Sequence, residues 1–128
     1  MPYETIWEEN GVFQRFFGQI TRDERMRASS EIHGDSRFDT IRYWIIDSLD
    51  IDSYDLGKSD AEILANTDNA ASRTNPSVLM PIVCTHIIHR NNFLHYLIHL
   101  KKAGSPWMGK LFDNVKTARQ WISMPATI

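Results

Sequence analysis

The sequence predicts an α/β domain in which a β-hairpin is followed by alternating helices and strands. Three observations predict it. Two short runs rich in β-branched and aromatic residues flank Asn10-Gly11. Two nearly continuous apolar runs, 41–46 and 78–85, have the length and composition of buried strands. Between and after them lie segments with helical periodicity and recognisable caps.

Residues 3–8 (YETIWE) read as the first strand and 12–17 (VFQRFF) as the second. Asn10-Gly11 is the favoured pair for a tight turn with positive φ at both central residues. Gly18 is expected to end the hairpin. Thr21-Arg-Asp-Glu24 is a capping box, which starts a helix over 22–33 that stops at Gly34. Its apolar stripe is thin: Met26, Ala28 and Ile32. Residues 35–39 form a turn. The strand IRYWII (41–46) suits a position covered on both faces, with Asp47 at its end. The stretch 47–60 reads as an acidic, turn-rich loop.

Ser59 with Glu62 forms a second capping box. The helix after it, about 60–73, should turn Ile63, Leu64, Thr67, Ala70 and Ala71 inward, and Asn75-Pro76 stops it. Pro81 cannot donate to a ladder, so strand 78–85 needs an edge-like stretch or a bulge there. Helix 89–102 places Phe93, Leu94, Tyr96, Leu97, Ile98 and Leu100 on one side. Asn92, His95, His99 and Lys102 lie on the other, and Gly104 supplies the stop. Residues 107–112 form the last strand, and Asp113 caps a final helix carrying Val115, Ala118, Trp121 and Ile122. The expected order is ββαβαβαβα: an antiparallel hairpin opening a mainly parallel sheet, with about four helices, in one domain spanning 1–128.

Composition excludes several function classes. The chain has 128 residues, 42% apolar and 23% charged, with a formal net charge of -2. Lys and Arg form no basic run, so nucleic acid is not an expected partner. The one cysteine, Cys84, cannot make an internal disulfide. The N-terminal stretch is acidic where a signal peptide is basic, and no apolar run reaches the roughly 20 residues of a bilayer span. A cytoplasmic protein is the expectation.

Four groups of residues could carry chemistry. His95 and His99 stand four apart on one helix face, the spacing that lets two imidazoles reach one metal ion. A third ligand is not evident, and the pair also suits a solvated helix exterior. Cys84 lies in an apolar strand, as a small buried hydrophobe does. His86, two residues on, would share its strand face and allow a thiol–imidazole pair. The acidic loop holds Asp47, Asp50, Asp52, Asp55 and Asp60, with Ser48, Ser53 and Ser59 as hydroxyls. It joins the carboxyl end of a strand to a helix N-terminus, where open α/β sheets bind ligands. No glycine-rich phosphate loop or nucleophile elbow is present. The large aromatics, Trp7, Phe13, Phe16, Phe17, Trp44 and Trp107, suit core packing or an apolar ligand site.

The hairpin, the strand IRYWIID, the serine-containing acidic loop, the strand before Cys84 and the closing Phe112…Ala118…Trp121 together resemble the SpoIIAA-like group of the STAS superfamily. These are small bacterial domains, related in fold to anti-sigma-factor antagonists and more distantly to CRAL-TRIO lipid-binding domains. The resemblance covers nearly the whole chain. It implies a non-enzymatic binding or regulatory module that acts through protein partners, without a cofactor. The alternative it implies is a small apolar-ligand or lipid-binding domain. Sporulation-type antagonists carry Asp-Ser-Ser/Thr-Gly at the start of the second helix and are phosphorylated there. Here the region reads Ile51-Asp52-Ser53-Tyr54-Asp55-Leu56-Gly57, so Asp52-Ser53 matches and Tyr54-Asp55 replaces the rest. The expected partner- or ligand-binding residues are therefore Asp47, Ser48, Asp52, Ser53, Tyr54 and Ser59. A thin first-helix stripe and aromatics in the hairpin also permit a homodimer.

Overall fold

A computed structural model describes residues 2–124; residue 1 and residues 125–128 lie outside the described residues. The elements follow in the order β1 (Tyr3–Trp7), β2 (Gly11–Thr21), α1 (Arg22–His33), a 3-10 turn (Ser36–Thr40), β3 (Tyr43–Asp55), α2 (Lys58–Ala71), β4 (Leu79–Val83), α3 (Ile87–Lys102), β5 (Met108–Phe112) and α4 (Val115–Ile122). The five strands form one sheet in the order β1-β2-β3-β4-β5. Only β1–β2 is antiparallel; the other three pairings are parallel. The α/β class, the hairpin and the four helices are thus as the sequence predicts.

The two faces of the sheet are covered unequally. One carries Val12, Phe16, Ile20, Trp44, Ile46, Met80 and Ile82, packed under α1, α2 and α3. The other carries Ile45 and Val83 under Ala118 of α4, with Phe13, Tyr43, Phe112, Val115 and Ile122 around them. The closing Phe112…Ala118…Trp121 pattern is this second contact. Ala118 is fully buried and the Phe112 and Trp121 rings lie 5.5 Å apart.

Several elements differ from expectation, each for a local reason. Neither Asn10 nor Gly11 has positive φ. Gly11 is needed because the Tyr43 ring lies where its Cβ would be. Gly18 does not end β2. It takes φ 71° within the strand, beside an irregularity in the β2–β3 register, and β2 runs on to Thr21. Asp47 does not end β3 either: the acidic stretch pairs with β2 as far as Asp55. The stretch is polar and acidic, which suits a loop, but it also suits a strand that projects beyond β4 into solvent. α1 starts and stops as predicted, with both hydrogen bonds of the Thr21–Glu24 capping box formed. Ser59 is not a cap, since α2 starts two residues earlier than expected, at Lys58, and the Asp60 carboxylate accepts from the Gly57 N–H. Asn114 rather than Asp113 caps α4. Pro81 sits in a central strand: β3–β4 pairing skips Met80 and Pro81, and resumes at Ile82.

Helix faces shift as well. α2 buries Ala61, Leu64, Ala65 and Asp68, and leaves Ile63, Thr67 and Ala70 exposed. The stripe moves because it contains a buried acid. α3 buries His89, Phe93, Tyr96 and Leu100, while Leu94 and Ile98 face out.

Candidate functional site

The residues expected to bind are spread along one strand and the next helix. Asp47 and Ser48 are buried in β3. The Asp47 carboxylate accepts from the Leu49 N–H at 3.1 Å, and burial pushes its pKa up. Asp52 and Ser53 are exposed on the projecting end of β3. Tyr54 is half-buried and turns under α3, its ring 5.2 Å from Phe93 and 6.2 Å from His89. Ser59 is exposed in the first turn of α2. Of these six, only Ser53 and Tyr54 line a common depression, 360 Å³ in volume, with Gln19, Ile20, Thr21 and Asp55.

The histidines on α3 face α2. His95 Nε2 lies 3.0 Å from Glu62 Oε2, and His99 Nε2 lies 3.3 Å from Asn66 Oδ1. The bond from His95 draws the Glu62 carboxyl below its ordinary pKa. The two imidazoles thus go to different partners on the neighbouring helix while remaining partly exposed to solvent. Among the described residues no three His, Cys, Asp or Glu side chains gather to hold a metal ion. His86 caps α3 by accepting from the Ile88 N–H at 3.3 Å. Cys84 Sγ faces the His86 carbonyl at 3.8 Å, not its ring, and burial pushes the thiol pKa up. A buried, protonated thiol is a packing group rather than a nucleophile.

Two features were missed in the sequence. The first is a buried polar cluster between α1, α2 and α3. Arg25 is 1% exposed and bonds Ser29 Oγ at 2.9 Å. Asp68 accepts from the Tyr96 hydroxyl, and its Oδ1 stands 3.0 Å from His33 Nε2. Neither of these two atoms has a hydrogen-bond partner. The His33 ring also lies against Phe38, Trp44 and Trp107. Through Asp68 the cluster links α2 to Tyr96 of α3 and to His33 of α1.

The second feature is the largest concavity described, a groove of 630 Å³ between α3 and β5. Leu94, Leu97, Ile98, Trp107, Met108 and Leu111 supply its apolar surface. Gly109 lets α3 approach β5 closely, because a Cβ there would collide with Leu97. Arg90 and Lys101 of α3 line it, Lys110 borders it with its side chain toward the opposite face of the sheet, and no acid lines it. Arg90 is held by the Cys84 carbonyl at 2.8 Å and by Asp113 at 3.3 Å. Lys101 and Lys110 form no ion pair among the described residues. Ile98 is 53% and Met108 61% exposed, so apolar surface reaches solvent inside a border that includes Arg90, Lys101 and Lys110. The signal for it was present in the sequence: Leu94 and Ile98 lie four apart and are offset from the Phe93–Tyr96–Leu100 stripe.

Compared with known proteins, the chain matches no protein-family model and no curated protein. No helix among the described residues is long and apolar enough to cross a membrane.

Proposed function

We propose that this domain is a non-enzymatic binding or regulatory module of the STAS-like kind, which receives a protein partner in the groove between α3 and β5. The observation that carries this reading is the groove itself. A domain of this size has enough apolar surface to close its core, yet here Leu94, Ile98 and Met108 are left exposed around a concavity. Contiguous apolar surface with a polar rim is the mark of an interaction site. The groove of this reading is lined by α3 and β5, apart from the Ser53 segment of β3 that the resemblance picks out.

A small amphipathic anion is the second reading. It is favoured by the 630 Å³ volume, within the range of small-molecule sites, and by three cations around an apolar floor. One experiment addresses both. Tagged wild-type protein, Ile98→Asp and the control Ile63→Asp (an exposed apolar residue on α2) are purified from the same lysate. The expected result is a protein retained by wild type and Ile63→Asp and lost with Ile98→Asp. Native mass spectra that show a small-molecule adduct, lost only with Ile98→Asp, would favour the second reading. Equal retention by all three would remove the groove from the account.

A further inference from the structure

β5 is the last strand of the sheet, and among the described residues nothing pairs with its outer edge. The Met108 N–H bonds the Val78 carbonyl, and the Phe112 carbonyl accepts from the Cys84 N–H. Residues 108 and 112 therefore point inward toward β4. Backbone groups alternate along a strand, so the N–H and C=O of Gly109 and Leu111 point outward. Both residues also line the groove. An unpaired backbone edge and an apolar trough thus lie side by side.

We propose that β5 takes an acidic, extended peptide segment of the partner as a sixth strand. This rests on the groove being the binding site. Side chains of an added strand alternate between the two faces of the sheet. On the α3 face they would meet Leu94, Leu97, Ile98 and Leu111, with no side chain on Gly109 to block them. On the opposite face they would lie beside Lys110, whose ammonium sits 5.5 Å from the Phe112 ring centroid. The fitting sequence therefore alternates apolar and acidic residues.

Charge also selects against a second copy of this chain. Two β5 strands paired about a two-fold axis through their centre would bring Lys110 against Lys110. Like charges directly opposite in a sheet destabilise the pair, and lysine on an edge strand commonly blocks self-association. The same lysine attracts an acidic strand.

The probe is a blocked ten-residue peptide of alternating valine and glutamate, titrated into ¹⁵N-labelled full-length protein to about 1 mM, an affinity of roughly -4 kcal/mol. The expected result is that the Gly109 and Leu111 amides shift and gain protection from exchange. N-methylation of one alternate set of peptide amides should weaken binding at least about tenfold, a loss of about 1.4 kcal/mol, and methylation of the other set should not. An antiparallel strand would need its valine amides and a parallel strand its glutamate amides. Lys110→Glu should reverse the preference in favour of a valine–lysine peptide. Binding that survives both methylations would overturn strand addition, as would a Lys110→Glu protein that still prefers glutamate. Protection of Gly109 and Leu111 without peptide, rising with protein concentration, would make a second copy the occupant. No binding of the peptide, together with Ile98-dependent capture from lysate, would overturn the acidic strand and leave the groove reading standing. Failure of both experiments would remove the groove itself.

Discussion

Asn75 shows how much one polar side chain carries in this fold. It is buried, its amide nitrogen donates to the carbonyls of Phe38 and Ile41 at 2.8 Å each, and its oxygen accepts from the Ser77 N–H at 3.1 Å. Its own carbonyl accepts from the Trp107 indole at 2.7 Å. One residue thus joins the turn before β3, the entry to β4 and the floor of the groove. Asn75→Ala would leave two buried carbonyls and one N–H unpaired. The expected cost is about 3 kcal/mol, measured by urea unfolding with an unchanged slope. A loss under about 1 kcal/mol would mean that water replaces the amide. From the sequence, Asn75 is legible only as a helix stop before proline. Three of its four partners, Phe38, Ile41 and Trp107, lie more than 30 residues away in the chain, and no local pattern encodes them. Arg25 and Asp68 were hidden for a related reason. Charged residues are placed outside by default, but Asp68 meets Tyr96 of α3 and His33 of α1, while Arg25 lies over the Phe16 ring and bonds Ser29 of its own helix.

At the scale of elements, α4 is held on the sheet by apolar packing and by one carboxylate. Glu8, just after β1, accepts from both terminal nitrogens of Arg119 at 3.0 and 2.8 Å, and from the Tyr43 hydroxyl. The Arg119 bonds hold the Glu8 carboxyl below its ordinary 4.5, against the opposing effect of burial, with Tyr43 adding to the depression. A carboxyl with a lowered pKa binds its proton more tightly in the unfolded chain. Its contribution is therefore complete above the unfolded value and lost as pH falls through the folded one. Thermal melts of wild type and Glu8→Gln should differ at pH 7 by on the order of 1 kcal/mol, since the pair is partly exposed. The difference should shrink from about pH 5 downward. A constant difference to pH 3 would show that Glu8 acts by packing alone. Elements were the most legible scale. The capping box at Thr21, the stops at Gly34 and Gly104 and the order of strands and helices follow from local chemistry. Strand lengths were not legible, because β2 and β3 continue as a two-stranded ribbon, with polar residues where no helix covers them.

For the whole molecule, the informative feature is asymmetry. Three helices cover one face and one helix the other, and β5 ends the sheet with an apolar groove beside it. The sequence shows only the Leu94–Ile98 pair; the groove arises because these residues of α3 lie beside a strand with no further neighbour among the described residues. The acidic stretch of β3 was the place the resemblance selected, and the groove is the place the geometry selects. A photoreactive residue substituted at Met108, Ser53 or Ile63 separates these sites in one measurement: crosslinking yield to the protein captured from lysate. Adducts are expected from position 108 and none above background from positions 53 and 63. Adducts from position 53 with none from 108 would contradict it, and would return the binding site to the projecting end of β3.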